Sequence, residues 1–181
     1  MRLFETVDTQ ETDRLLIRSI TRADTPALFS VFSDPDVIEY AIGHPHTTET
    51  DTQYYIDSVL EAYTIGHALI MGISLKSSQT LIGIIGFELW FSAHNRAEIG
   101  YTLGKPYWGA GYATEALNAL CRYGFGPLQL HRIEATTQPA NEASWRVLEK
   151  AGFHRDGLLP DYILSRGLYR DTYLYSRLNT V

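Results

Sequence analysis

Cysteine is nearly absent from this sequence, with Cys121 the only one among 181 residues. One cysteine cannot form a disulfide within the chain, which favours a reducing compartment. Cys121 lies in an apolar helical stretch, so we expect it to pack in the core. No segment approaches the roughly 18 consecutive apolar residues of a membrane-spanning helix, and residues 1–14 lack the apolar core of a secretory signal peptide. We therefore expect a cytoplasmic protein with no membrane partner.

Positive charge is also scarce: 15 Lys and Arg stand against 21 Asp and Glu, a net charge of −6. A nucleic-acid-binding domain normally carries the opposite sign, so no direct nucleic-acid partner is expected. An acidic protein suits a cationic small molecule or a basic peptide equally well. The length fits one domain of about 100–200 residues. Because no linker, repeat or low-complexity tract interrupts the chain, we predict a single domain over residues 1–181.

Hydrophobic periodicity predicts a mixed α/β (α+β) fold, with roughly six to seven strands in a mostly antiparallel sheet and about four flanking helices. Residues 34–48 hold Pro35, Gly43 and Pro45 and are predicted to form short turns or loop. The strands are predicted over residues 14–18, 67–74, 80–91, 96–103, 130–137, 153–158 and 169–178, and the helices over 21–33, 49–63, from 111 onward, and 141–151.

A glycine-rich turn, Trp108-Gly109-Ala110-Gly111, follows the strand 96–103 and leads into a helix. The first N–H groups of a helix have no intrahelical partner and carry a partial positive charge. Small residues let phosphate groups reach those N–H groups, so the turn predicts an anion site, most naturally for a diphosphate. The alternative is a glycine-rich turn that only packs.

Two well-known phosphate-binding patterns do not fit this turn. The nucleoside triphosphate loop needs Lys and then Ser or Thr after the second glycine, where Tyr112 and Ala113 stand. The dinucleotide fingerprint is imitated by the two glycines and by Glu134 downstream. However, Thr114 replaces its third glycine, and residues 105–108 separate the strand from the turn.

A third pattern fits, and it extends over most of the chain. The turn resembles the Gln/Arg-x-x-Gly-x-Gly/Ala segment of the GNAT superfamily of N-acetyltransferases, with Trp108 as the departure at the Gln/Arg position. Residues 114–116 (Thr-Glu-Ala) are typical of the RimJ/RimL-type branch of ribosomal-protein N-terminal acetyltransferases. Further matching segments are residues 14–18, 83–86, 97–101, 141–153 and 167–171.

This resemblance implies a GNAT-like fold and direct acetyl transfer from acetyl-CoA to an amine, without a metal. The acetyl-CoA segment would span residues 97–124, the helix 141–151 would complete the cleft, and the acceptor side would comprise residues 34–63 and 160–178. The implied cofactor-binding residues are Tyr101, Thr102 and Leu103 for the pantetheine arm, Trp108, Gly109, Ala110, Gly111, Tyr112 and Ala113 for the diphosphate, and Asn141 and Ser144 on the helix. A backbone N–H near Leu103 would polarise the thioester carbonyl.

The catalytic acid is not the usual one of the superfamily, because Leu148 occupies the position of the customary tyrosine. The resemblance implies that Ser144 protonates the thiolate instead. A hydroxyl that only bonds the backbone of the first helical turn is the alternative.

Glu98, on the strand before the turn, is the candidate general base or acceptor contact. The alternative is a structural ion pair with Arg96 or with an arginine of another strand. His131, Glu134 and His154 are weaker candidates for the base. His44 and His46 lie where the family's acceptor groove forms, and their spacing predicts no metal site.

The acceptor is less well defined by the sequence. A peptide α-amine has a pKa of about 8, and a lysine side chain has a pKa of about 10.4. An α-amine is therefore easier to deprotonate and depends less on a general base. Since no strongly placed base is evident, we expect an α-amine, and the resemblance implies that of a ribosomal or other protein. A small-amine acetyltransferase and a CoA-binding module without catalysis stay open, as do a monomer and a homodimer.

Overall fold

The computed structural model describes residues 8–41 and 43–180, so residues 1–7, where no signal-peptide core was found, lie outside it. Within the described part, eight strands form one sheet in the order β1-β2-β3-β4-β5-β6-β8-β7. The strands are β1 (Gln10–Glu11), β2 (Leu15–Ser19), β3 (Leu69–Leu75), β4 (Leu81–Phe91), β5 (Arg96–Leu103), β6 (Arg132–Thr137), β7 (His154–Ser165) and β8 (Leu168–Leu178). The helices are α1 (Thr25–Phe32), α2 (Pro35–Ile38), α3 (Glu49–Ile65), α4 (Tyr112–Phe125) and α5 (Glu142–Lys150).

The predicted fold class is confirmed, while both element counts were too low. The extra strand is β1, whose two residues pair with β2 and are too short to show a period. The extra helix is α2, so residues 34–48 are not only loop as predicted. Asp34 caps it by accepting from the Asp36 N–H, and Pro35 opens its first turn.

Two boundaries were also wrong. The helix predicted from Thr21 starts as a 3-10 turn over Arg22–Asp24, and α1 begins only at Thr25. Strand β7 runs on to Ser165 instead of ending near residue 158, because its pairing with β8 resumes after an irregularity between Leu159 and Ile163. An irregularity of this kind interrupts the alternation on which strand prediction depends.

The sheet divides in its middle. Strand β5 pairs in parallel with β6 only over Arg96–Glu98 against Arg132–Glu134. Beyond that point β5 stays antiparallel to β4 as far as Leu103, and β6 stays antiparallel to β8 as far as Thr137. The two central strands therefore diverge and leave an opening between residues 99–103 and 135–137.

Helices cover both faces of the sheet. One buried apolar cluster joins α4 and the buried Leu148 of α5 to the sheet, and a second joins α1 and α3 to Leu81 and Ile84 of β4. Cys121 is completely buried in the first cluster, as expected. These two layers hold the diverging strands in place from either side.

Candidate active site

A groove of about 530 Å³ opens where β5, the turn after it, and the first turns of α4 and α5 meet. It is lined by nearly all residues predicted to hold the cofactor: Tyr101, Thr102, Leu103, Trp108, Gly109, Gly111, Tyr112, Ala113, Asn141 and Ser144. Ala110 is the one predicted residue outside this lining. Its carbonyl oxygen instead accepts a hydrogen bond from Arg14 Nη1 at 3.0 Å.

The glycine turn has the backbone that an anion site requires. Gly109 and Gly111 have φ of 73° and 82°, in the left-handed region that glycine adopts without steric cost. Gly111 is the N-cap of α4, and the first intrahelical hydrogen bond runs from the Glu115 N–H to the Gly111 oxygen. The N–H groups of residues 112–114 precede that bond, so they are available to a phosphate at the positive end of the helix.

Strand β5 presents unpaired backbone to the groove. The Gly104 N–H donates to the Ile82 oxygen of β4 at 2.9 Å. Because successive residues of a strand point to opposite sides, the backbone groups of Leu103 and Tyr101 face away from β4, into the opening beside β6. The indole N–H of Trp108 donates to the Leu103 oxygen at 2.7 Å, which leaves the Leu103 N–H for a ligand. Trp108 thus replaces the polar Gln or Arg of the family with a donor that joins the turn to the strand.

Helix α5 brings two hydroxyl groups together. The Asn141 side chain caps the helix by accepting from the Ser144 N–H at 3.2 Å. The Tyr101 hydroxyl lies 3.0 Å from both the Oγ and the backbone oxygen of Ser144. Burial raises the pKa of Tyr101. Both hydroxyls are therefore protonated at neutral pH, and the pair lies on the wall of the groove.

A second cavity, of about 380 Å³, lies under the residue 34–48 segment, between the diverging strands. The hydroxyl pair lies where the two spaces meet, because the two linings share six residues: Val37, Tyr40, Tyr101, Thr102, Asn141 and Ser144. His44 and His46 line it, where an acceptor contact was predicted. Desolvation lowers the pKa of His46, whose Nδ1 lies 2.8 Å from Thr52 Oγ1.

Glu88 is the carboxylate of this second cavity, and sequence reasoning missed it. It is the extra residue of a bulge, since Phe87 pairs with Ile99 and Leu89 with Glu98. A Cβ on Gly100 would lie 2.2 Å from a Glu88 carboxylate oxygen, so this glycine leaves the space that the carboxylate occupies. Glu88 is solvent-accessible because it opens into the cavity, yet burial among protein atoms, together with the charge of Glu98, raises its pKa.

Glu98, the predicted base, lines neither cavity. It accepts a hydrogen bond from Thr136 Oγ1 at 2.6 Å, and the alternative ion pair with Arg96 is not formed either. Arg96 instead pairs with Glu134, which also binds Arg132. His131 and His154 lie outside both cavities as well. Of the carboxylates on this part of the sheet, Glu88 is therefore the one that lines the second cavity.

Other classes of site find no support in the residues described. No group of three or more histidine, cysteine or carboxylate side chains among residues 8–41 and 43–180 could hold a metal ion. No helix in the same ranges is long and apolar enough to cross a membrane.

The comparisons with known proteins identify the class. Residues 14–154 match the family model described as an acetyltransferase (GNAT) domain. The chain therefore belongs to the GNAT acetyltransferase family, and the predicted enzyme class is confirmed.

Particular relatives agree in length and fold. The chain is 36% identical to an uncharacterized N-acetyltransferase, p20, of Bacillus licheniformis, over 95% of this chain and 97% of that protein. It is 27% identical to the ribosomal protein uS5-alanine N-acetyltransferase of Escherichia coli, over 88% of this chain and 85% of that protein. A GNAT-family acetyltransferase structure from Bacillus anthracis superposes with a TM-score of 0.86 at 34% identity, covering 94% of this chain and 98% of that chain.

The backbone of the glycine turn generates a first prediction. A β-branched residue at Gly111 would be strained at its φ of 82°, so Gly111→Val should displace the turn and weaken acetyl-CoA binding. We expect a Kd about 5- to 150-fold higher, since such strain costs about 1–3 kcal/mol. Isothermal titration calorimetry with acetyl-CoA measures this Kd.

The control for that experiment is Gly66→Val at the end of α3. Gly66 has φ of 73° and lies outside the groove, so the variant carries similar strain without touching the turn. Its Kd should stay close to that of the unmodified chain. Equal loss of affinity in both variants would show that the Gly111 effect is a loss of overall stability.

Proposed function

We propose that this enzyme transfers an acetyl group from acetyl-CoA to the α-amine of a peptide or protein. The observation that carries the proposal is the junction of the two cavities at Tyr101 and Ser144, with Glu88 as the carboxylate on the acceptor side. A donor in the groove and an amine in the second cavity would meet at that junction. Direct transfer in a ternary complex follows, without a covalent enzyme intermediate.

The donor is held mainly by backbone groups. The diphosphate would rest on the N–H groups at the start of α4, and the pantetheine arm would extend β5 along Tyr101 and Leu103. Asn141, on the opposite side of the groove, would contact the same arm. The Leu103 N–H is then placed to donate to the thioester oxygen as negative charge develops on it.

Glu88 is the proposed general base. Its carboxylate would take a proton from the acceptor ammonium, directly or through one water, so that the amine lone pair can attack the thioester carbon. Its raised pKa brings it nearer to that of an α-amine, which makes it a better acceptor of the proton. Glu98 acts on this step through the charge that it places beside Glu88.

Ser144 is the proposed general acid. As the carbon–sulfur bond breaks, the leaving thiolate would take the proton of the Ser144 hydroxyl. The Tyr101 hydroxyl lies 3.0 Å from both Ser144 Oγ and the Ser144 backbone oxygen. It can turn its one proton from the backbone oxygen to Oγ and stabilise Oγ as the serine proton leaves. Leu148, fully buried in the wall of the second cavity, occupies the usual tyrosine position and cannot donate a proton.

Charge in the second cavity favours a peptide over a free amino acid. Among the described residues that line it, Glu88 is the carboxylate, and none is a lysine or an arginine. A free amino acid would bring its own carboxylate close to Glu88 with no cation to pair with it. A peptide presents an uncharged amide at that place. The relative that acetylates the alanine of ribosomal protein uS5 supports the same class of acceptor.

The test is acetyl transfer to a peptide library with varied first residues, read by mass spectrometry. Peptides with a free amino terminus should be acetylated, while the same peptides blocked at the amino terminus and carrying lysine should not. Turnover of spermidine or of free amino acids at comparable rates would overturn the peptide proposal. Binding of acetyl-CoA without turnover of any acceptor would instead indicate a module without catalysis.

A second prediction separates the two candidate bases. Glu88→Gln should lower kcat/KM by about 10²–10⁴-fold, the usual contribution of general acid–base catalysis. The unmodified enzyme should lose activity on the acid side at a pH above the ordinary carboxylate range, because the pKa of Glu88 is raised. The Gln variant should lose that acid limb from the pH profile of kcat/KM.

Glu98→Gln is the matched control, since it removes a neighbouring charge of the same sign outside the cavity. It should keep most of the activity and shift the acid limb to lower pH, because one cause of the raised Glu88 pKa is removed. A loss of the acid limb in Glu98→Gln but not in Glu88→Gln would return the role of base to Glu98.

A further inference from the structure

We propose that Arg14 is a positioning residue for the diphosphate turn and acts on it from behind, through the Ala110 peptide. The inference rests on the proposed binding of the diphosphate by residues 109–113. Arg14 immediately precedes β2, far from the turn along the chain, and neither Arg14 nor Ala110 belongs to the groove lining. Arg14 is thus placed to shape the turn without standing where the phosphates would lie.

The Arg14 guanidinium is held on three sides. Nε pairs with Glu115 Oε2 at 2.6 Å, and Nη1 donates to the Ala110 oxygen at 3.0 Å. The group also lies over the Tyr112 ring, 4.4 Å from its centroid. A planar guanidinium with a rigid fork of donors can make these contacts together, whereas a lysine ammonium cannot.

Glu115 holds Arg14 in place through two hydrogen bonds to Arg14 and one to Thr12. Its Oε1 accepts from Thr12 Oγ1 at 2.6 Å and from the Arg14 backbone N–H at 2.9 Å, while Oε2 accepts from the guanidinium. Partial burial works against ionisation, but these hydrogen bonds outweigh it and lower the pKa of Glu115. The carboxylate of the Thr-Glu-Ala segment therefore binds the start of β2 to α4 and sets the position of Arg14.

The bond to Ala110 has a direct consequence for the ligand side. A trans peptide unit is planar, and its C=O and N–H groups point in opposite directions. Since the Ala110 oxygen points to Arg14 behind the turn, the Gly111 N–H of the same peptide unit points the other way, toward the groove that Gly111 lines. Arg14 thereby holds one phosphate donor in its binding orientation.

Arg14 contributes orientation more than charge. Its positive charge is paired with Glu115, and the Ala110 oxygen can accept only from a donor at the right distance and angle. Replacement by lysine should therefore fail to restore binding, although the charge is kept. Rescue by lysine would indicate that net charge near the turn is what matters.

The test compares two donors that differ in the diphosphate. Acetyl-pantetheine carries the same thioester arm as acetyl-CoA but has neither the diphosphate nor the nucleotide. Arg14→Gln should raise the Kd of acetyl-CoA about tenfold, the effect of losing one or two well-placed hydrogen bonds. The Kd of acetyl-pantetheine should stay unchanged, and Arg14→Lys should behave like Arg14→Gln.

Arg22→Gln is the control, because Arg22 also forms an exposed ion pair, with Asp57, and lines neither cavity. If Arg14→Gln raises the Kd of acetyl-CoA and of acetyl-pantetheine equally, Arg14 has only a general structural role. If neither Kd changes, Arg14 has no role in binding. Either result overturns the inference. If the unmodified enzyme binds both donors equally well, the turn is not a diphosphate site, and the proposed function loses that part independently of Arg14.

Discussion

The early end of pairing between β5 and β6 is the constraint on which the rest of the site depends. Only three residue pairs join these strands before they diverge. A continuous ladder would satisfy the backbone of Tyr101 and Leu103 within the sheet and would close the space under residues 34–48. Because the strands separate, one opening supplies both the unpaired edge proposed for the donor and the cavity proposed for the acceptor. Helices pack on both faces of the sheet in two buried apolar clusters.

The two halves of the site use different chemistry. The proposed donor half depends mainly on backbone groups, namely the N–H groups at the start of α4 and the unpaired edge of β5. The Trp108 indole N–H donates to one carbonyl oxygen of that edge, that of Leu103. The proposed acceptor half depends on side chains, with one carboxylate, Glu88, and no lysine or arginine among the described residues that line it. Because the proposed donor half relies on backbone groups, a Trp can stand at a family Gln/Arg position, whereas the proposed choice of amine depends on where the Glu88 carboxylate lies.

Several local features could be predicted because their causes lie close together along the chain. Strand β5 has the predicted bounds, and Asn141, the first residue of the helix predicted over 141–151, caps α5. The errors fall where local signals are weak or interrupted. Strand β1 has two residues, α2 has four, and the irregularity in β7 hides the continuation of that strand. Glu88 was missed because a bulge breaks the alternation that would place its side chain.

By itself, the sequence determined the family and the donor. Two glycines with positive φ before a helix start are a local arrangement, and the segments around them recur in a characteristic order. Only the tertiary structure decided which carboxylate lines the second cavity and which side chain bonds the glycine turn. Glu88 reaches the cavity through a bulge and a glycine on the next strand, and Arg14 reaches Ala110 across 96 residues of chain. Contacts of that kind depend on how strands and helices pack together, which no local pattern encodes.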